Sequence, residues 1–167
     1  MTAKILYLCT GNAARSVMAT VMTKDRLPHA TVWGAGTHSI EDLPMSTRTR
    51  LALERHGLRD TSHRSHQLTA DDVERADVIV AFEPMHILYM QRRHPEGAAR
   101  TALLPLLADR LDRSLPLTDA LAALALADHE PEPWEEVIDP AGGDQDVFDA
   151  SADQISSLLD EFLARFA

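Results

Sequence analysis

Cys9, the one cysteine in the chain, opens the stretch CTGNAARS, in which Thr10, Gly11, Asn12, Ala13 and Ala14 lead to Arg15 and Ser16. These residue types in this order suit the handling of an oxyanion. A short loop that runs into a helix can aim several backbone N–H groups at one point, and the helix dipole adds positive potential there. Arg15 can present its planar fork to two oxygens of a phosphate-like group. A thiol at a helix N-terminus beside a cation ionises more readily than a free thiol, which makes Cys9 a candidate nucleophile. Ser16 can donate to the Cys9 sulfur and steady it as a leaving group. Gly11 lets the backbone approach closely, and Asn12 tolerates the left-handed region that such a loop uses. A lone cysteine is more often a buried packing residue. An Arg-Ser pair after a five-residue loop, at a strand-to-helix junction, favours the chemical reading instead.

The elements that must position this loop can be read from hydropathy. Lys4 to Cys9 reads as a short buried strand that meets the turn formers Thr10, Gly11 and Asn12. From Ser16 the period changes: Val17, Met18, Val21 and Met22 predict a helix that ends at Leu27, before Pro28. Further strands are predicted at Thr31 to Trp33, Val78 to Phe82 and Thr101 to Leu104. Helices are predicted over Met45 to His56, stopped by Gly57, and over the Ala- and Leu-rich stretch Leu115 to Asp128. The clearest helical period is the last, through Phe148, Ala152, Ile155, Leu159, Phe162 and Phe166. Alternating strands and helices imply a three-layer α/β fold: an open sheet of about four parallel strands with helices on both faces and ligands beyond the carboxyl ends of the strands.

Bulk properties narrow the function. The 167 residues fit one domain, and 26 acidic against 16 basic side chains leave a net charge of −10. Such a surface lacks the basic field that nucleic acid or an acidic membrane requires, so an anionic substrate must be captured locally. One cysteine excludes an intramolecular disulfide. The apolar run from Ile5 to Leu8 is too short for a signal-peptide core or a membrane span, so cytoplasmic residence is expected. The eight histidines form no metal-ligand set; His63 and His66 are the closest pair, with no clustered carboxylate or second thiol, so no metal is expected.

The loop CTGNAARS, together with GAGT at Gly34 to Thr37, HRSHQLT at His63 to Thr69, ADVIVAFEPMH at Ala76 to His86 and VIDPAGG at Val137 to Gly143, resembles the low-molecular-weight protein tyrosine phosphatases and the related arsenate reductases. The matches occur in order along nearly the whole chain. The resemblance implies one flavodoxin-like phosphatase domain over residues 1–167, needing no cofactor, that hydrolyses phosphomonoesters on a phosphorylated protein through a phosphocysteine intermediate. A cysteine phosphatase needs a general acid for the leaving oxygen. Asp139, before Pro140 in a Gly-rich loop ahead of the last helix, is the candidate, and the resemblance places the acid at this Asp-Pro. It also implies that His63 supports the loop from behind through Asn12.

This chain departs from the family pattern in places. Ala14 stands where many relatives carry a second cysteine, so oxidised Cys9 would need an external thiol for rescue. Ala141, Gly142 and Gly143 replace the aromatic residues that often follow the Asp-Pro, which leaves Trp33 or Trp134 as candidates for an aromatic wall. Ala13 is smaller than the branched residue that helps relatives separate phosphotyrosine from phosphoarginine. Gly34 replaces a frequent serine, which should weaken the hydrogen bonding around the loop. Two alternative activities stay open. One is a protein arginine phosphatase, and the other is a single-cysteine arsenate reductase that passes its adduct to a small-molecule thiol. A phosphoresidue-binding module that turns over poorly is the non-enzymatic rival, against which Cys9, Arg15 and Asp139 argue.

Overall fold

A computed structural model describes residues 2–167. Its sheet has four parallel strands in the order β2-β1-β3-β4, built from β1 (Lys4–Cys9), β2 (Thr31–Gly36), β3 (Val78–Ala81) and β4 (Thr101–Leu103). Side chains alternate across each strand. Ile5, Tyr7, Cys9, Val32, Val78 and Val80 face one layer, whereas Leu6, Leu8, Ala35 and Ile79 face the other. Both faces are covered, and for this reason the strands read as apolar throughout. The first layer holds α1 (Arg15–Arg26), α2 (Thr47–Arg55), α5 (Leu104–Arg110), α6 (Leu117–Ala123) and α7 (Gln145–Leu163). The second holds α3 (Ala70–Arg75) and α4 (Pro84–Arg93). Among the described residues no helix is long and apolar enough to cross a membrane.

Because the chain leaves β1 for a neighbour on one side and returns to the other, the carboxyl end of β1 lies at the switch point of the sheet. Parallel α/β sheets bind ligands in that crevice. Residues 10–14 follow there, and α1 starts at Arg15.

Several elements differ from expectation. Strand β2 runs on to Gly36, which pairs with Cys9. A Cβ at Gly36 would lie 2.5 Å from the Thr10 carbonyl oxygen, so the absence of a side chain lets β2 and the loop lie together. Helix α2 starts at Thr47 because the Ser46 hydroxyl caps it by accepting from Thr49 N. The predicted helix from Leu115 to Asp128 shrinks to Leu117–Ala123. Ala125 takes a left-handed φ of 49°, which breaks the helix and turns Leu126 back into the core. Helices α3, α4 and α5 were not predicted. The first is a six-residue helix, too short to show a period, although Thr69 and Asp72 form a capping box at its start. The other two each carry a proline in the first turn, at Pro84 and Pro105, where a missing N–H does no harm.

Helix α7 packs on α1, α2 and α5, with Ile155 and Leu159 wholly buried. Ile155→Ala is expected to destabilise the protein by about 2–5 kcal/mol, read from the urea midpoint at constant slope.

Candidate active site

Six consecutive carbonyls in the loop each accept a hydrogen bond from outside it. Cys9 O accepts from Thr37 N at 2.9 Å and Thr10 O from His38 N at 2.9 Å. Gly11 O accepts from Ser39 Oγ at 3.0 Å, Asn12 O from His63 Nε2 at 3.0 Å and Ala13 O from Thr49 Oγ1 at 2.8 Å. Ala14 O takes Met18 N at 2.8 Å, the first helical bond of α1. Carbonyls drawn outward leave the N–H groups of the same peptides turned inward, which makes an anion nest. Ala14, the residue before α1, has no side chain able to cap the helix, so its first N–H groups are left for a ligand.

Asn12 sits at φ 50° and is buried. Its amide spans the site: Oδ1 accepts from His66 N at 3.0 Å, and Nδ2 donates to Ser16 Oγ at 2.8 Å. The backbone N–H of His66 can only donate, which fixes the orientation of the amide. Ser16 Oγ, having accepted from Asn12, has its own proton free for Cys9 Sγ at 2.9 Å. The chain of donors therefore ends on the sulfur. His66 is itself held, as its Nε2 donates to buried Asp72 at 2.7 Å. Burial holds His63 below the ordinary imidazole range, against the opposing pull of its bond to Asn12 O, so its Nε2 stays a neutral donor.

Arg15, buried on α1, extends Nη1 to Glu83 Oε2 at 2.9 Å, while Nη2 lies 3.5 Å from Asp139 Oδ2. The segment before Asp139 is anchored on three sides. Val137 N donates to Phe82 O, Ile138 N to Gln154 Oε1, and Ser151 Oγ to Ile138 O. Asp139 Oδ1 accepts from Ala141 N at 3.1 Å, and the carboxylate stays half-exposed. The expected guanidinium thus lies beside the expected acid, and the expected nucleophile meets Ser16, the residue next to Arg15.

Sequence reasoning missed Glu83, His86, Ser39 and Thr49. The first two lie in AFEPMH, a stretch noted only as a family match, whereas Ser39 and Thr49 are ordinary polar residues that nothing in the sequence marks. His86 is buried and accepts from Phe82 N on Nδ1, so Nε2 carries the proton and donates to Thr10 Oγ1 at 3.0 Å. Burial pushes its imidazole down to about 3, with the Arg15 guanidinium acting the same way.

Neither tryptophan forms a wall. Trp33 donates to Asp72 and carries the Arg75 guanidinium on its ring, and Trp134 stacks under Arg110 in a groove between α5 and α7. The aromatic ring beside the loop is Tyr89 of α4, in a cleft shared with Thr10 and His86. Gly34 leaves the hydrogen bonding of Asn12 intact. A Cβ there would come within 2.8 Å of Asn12 Nδ2 and 3.2 Å of Thr20 Oγ1. Beside it the buried Thr20 hydroxyl lacks a protein partner among the described residues.

A strand-loop-helix oxyanion cradle with a cysteine at its base and a carboxylate at its rim belongs to a class of cysteine phosphatases, and comparison with known proteins agrees. Residues 4–114 match the model of the family described as low molecular weight phosphotyrosine protein phosphatase. The chain belongs to this family. It is 27% identical over 161 residues to the protein-arginine-phosphatase of Geobacillus stearothermophilus, covering 96% of this chain and 93% of that protein. The low molecular weight protein-tyrosine-phosphatase Etp of Escherichia coli is 32% identical over 99 residues, which is 59% of this chain and 67% of Etp. In structure, the YwlE arginine phosphatase of Geobacillus stearothermophilus superposes with a TM-score of 0.80 at 25% identity, covering 98% of this chain and 92% of that one.

Two outcomes follow from this geometry. Gly36→Ala forces β2 away from Thr10 O, and kcat on an aryl phosphate should fall by about tenfold to a hundredfold. For His86, the unfolded imidazole takes up a proton near its ordinary value of 6.5 and the folded one only at about 3. Stability from this group is therefore complete above 6.5 and lost as pH falls toward 3. The unfolding constant should rise by up to about tenfold per pH unit in that window, and a His86→Asn variant should show a shallower slope in urea titrations.

Proposed function

We propose that the protein hydrolyses phosphomonoesters on phosphorylated proteins, phosphotyrosine foremost, through a phosphocysteine intermediate. Cys9 Sγ attacks phosphorus as the bond to the leaving oxygen breaks, and Asp139 gives that oxygen its proton. The Asp139 carboxylate then takes a proton from water, whose oxygen attacks phosphorus and expels the Cys9 thiolate as inorganic phosphate forms. The inward N–H groups of residues 10–16 and the Arg15 fork bind the phosphoryl oxygens, in a site where fixed dipoles need not reorganise. Ser16 stabilises the departing sulfur, and Glu83 orients the guanidinium. Asn12 and His63 hold the loop in shape. The observation that carries this reading is the run of six outward carbonyls above a sulfur that meets Ser16 Oγ at 2.9 Å.

Phosphoarginine is the second reading. It is favoured by the arginine phosphatase whose alignment spans 96% of this chain.

Cys9→Ser is expected to abolish turnover of an aryl phosphate. Asp139→Asn should lower kcat by about a hundredfold or more while inhibition by inorganic phosphate is retained. Equal loss of phosphate binding in both variants would contradict the assigned roles. Matched phosphotyrosine and phosphoarginine peptides decide between the substrates, and arsenate with candidate thiols, run alongside, separates hydrolysis from arsenate reduction.

A further inference from the structure

The cleft beside the phosphate loop does not end there. It encloses about 380 Å3 and continues along α4 from Thr10, Glu83 and His86 at one end to Arg92 and Arg93 at the other. Its middle is walled by Met85, which is 65% exposed, and by Tyr89, whose ring meets that of His38 edge-on at 5.6 Å. An exposed methionine and a half-buried tyrosine suit an extended peptide better than water.

The far end of the cleft carries two cations, Arg92 and Arg93. The chain carries a net charge of −10, yet Arg92 and Arg93 make no ion pair among the described residues. Their one acidic neighbour at helical spacing, Glu96, lies 3.5 Å from His94 Nδ1 instead. Cations in a last helical turn complement the helix dipole, and this alone accounts for basic residues at that place. It does not account for their lining the same cleft as the loop that would bind the phosphoryl group.

We infer that this cleft is a substrate subsite, and that Arg92 and Arg93 select phosphoproteins with an acidic side chain a fixed distance from the phosphorylated residue. From Pro84 to Arg92 the helix advances about 12 Å. An extended peptide covers that in about three or four residues. The recognised substrate therefore carries Asp or Glu three or four positions from the phosphoresidue, with an apolar side chain between them against Met85 and Tyr89. The inference rests on the phosphatase reading above.

The test compares matched phosphotyrosine peptides carrying Glu or Gln at three and four positions to either side of the phosphotyrosine, with an aryl phosphate as a reference for wild type. A Glu peptide should exceed its Gln counterpart by about fivefold in kcat/KM, mainly through KM, and less at high salt. In an Arg92→Glu, Arg93→Glu double variant that ratio should collapse to one or invert. Equal turnover of Glu and Gln peptides by wild type, or a preference that survives in the double variant, overturns the subsite while aryl phosphate turnover leaves the phosphatase reading standing. Failure of wild type to turn over the aryl phosphate removes both.

Discussion

The functional part of this molecule depends on where six peptide carbonyls point. A loop of five residues between a strand and a helix would ordinarily satisfy itself with water. Here each carbonyl from Cys9 to Ala14 meets a donor on its outer side, and the donors come from the segment after β2, the segment before α3, α2 and α1. Buried polar groups must be paired. By pairing the acceptors on one side, the fold leaves a set of donors on the other with no protein acceptor to compete for them. The anion site is the residue of that accounting, and it needs no basic surface, which agrees with a strongly acidic chain.

The positive charge at the site is single and heavily constrained. Arg15 is buried and meets Glu83 on one nitrogen, with Asp139 farther off on the other. A buried guanidinium without carboxylates would be expensive. The two acids hold its plane, and of the two Asp139 is the more exposed. His63 and His86, both held below the ordinary imidazole range, work as neutral donors to the loop, so they add hydrogen bonds to the cradle rather than positive charge.

Much of this was legible in the sequence. The strand-loop-helix unit could be read from Ile5 to Leu8, Gly11 and the helical period after Ser16, and the sheet from short runs such as VIVAF, because strands covered on both faces are apolar throughout. Asp139 was legible as an acid before a proline in a Gly-rich loop, one acidic residue among 26, and resemblance raised it above the others. Helices α3 and α5 escaped because six or seven residues display no period, and α4, ten residues long, opens on a proline. Glu83 and His86 escaped because a carboxylate at a helix N-cap and a histidine one turn later look like ordinary helix chemistry until the tertiary fold lays them against Arg15 and Thr10. Ser39 and Thr49 escaped for a simpler reason: a hydroxyl that bonds a distant carbonyl leaves no local pattern.

The spread of those donors along the chain also has a bearing on synthesis. A ribosome delivers the cysteine, the arginine and the whole loop first, but His63 and His66 arrive some fifty residues later, and the rim carboxylate near the end of the chain. Until β2 and α2 have docked, the loop lacks the partners that turn its amides inward. The cradle is thereby made conditional on assembly, so a fragment that is translated but not folded carries the cysteine without the oriented amides around it.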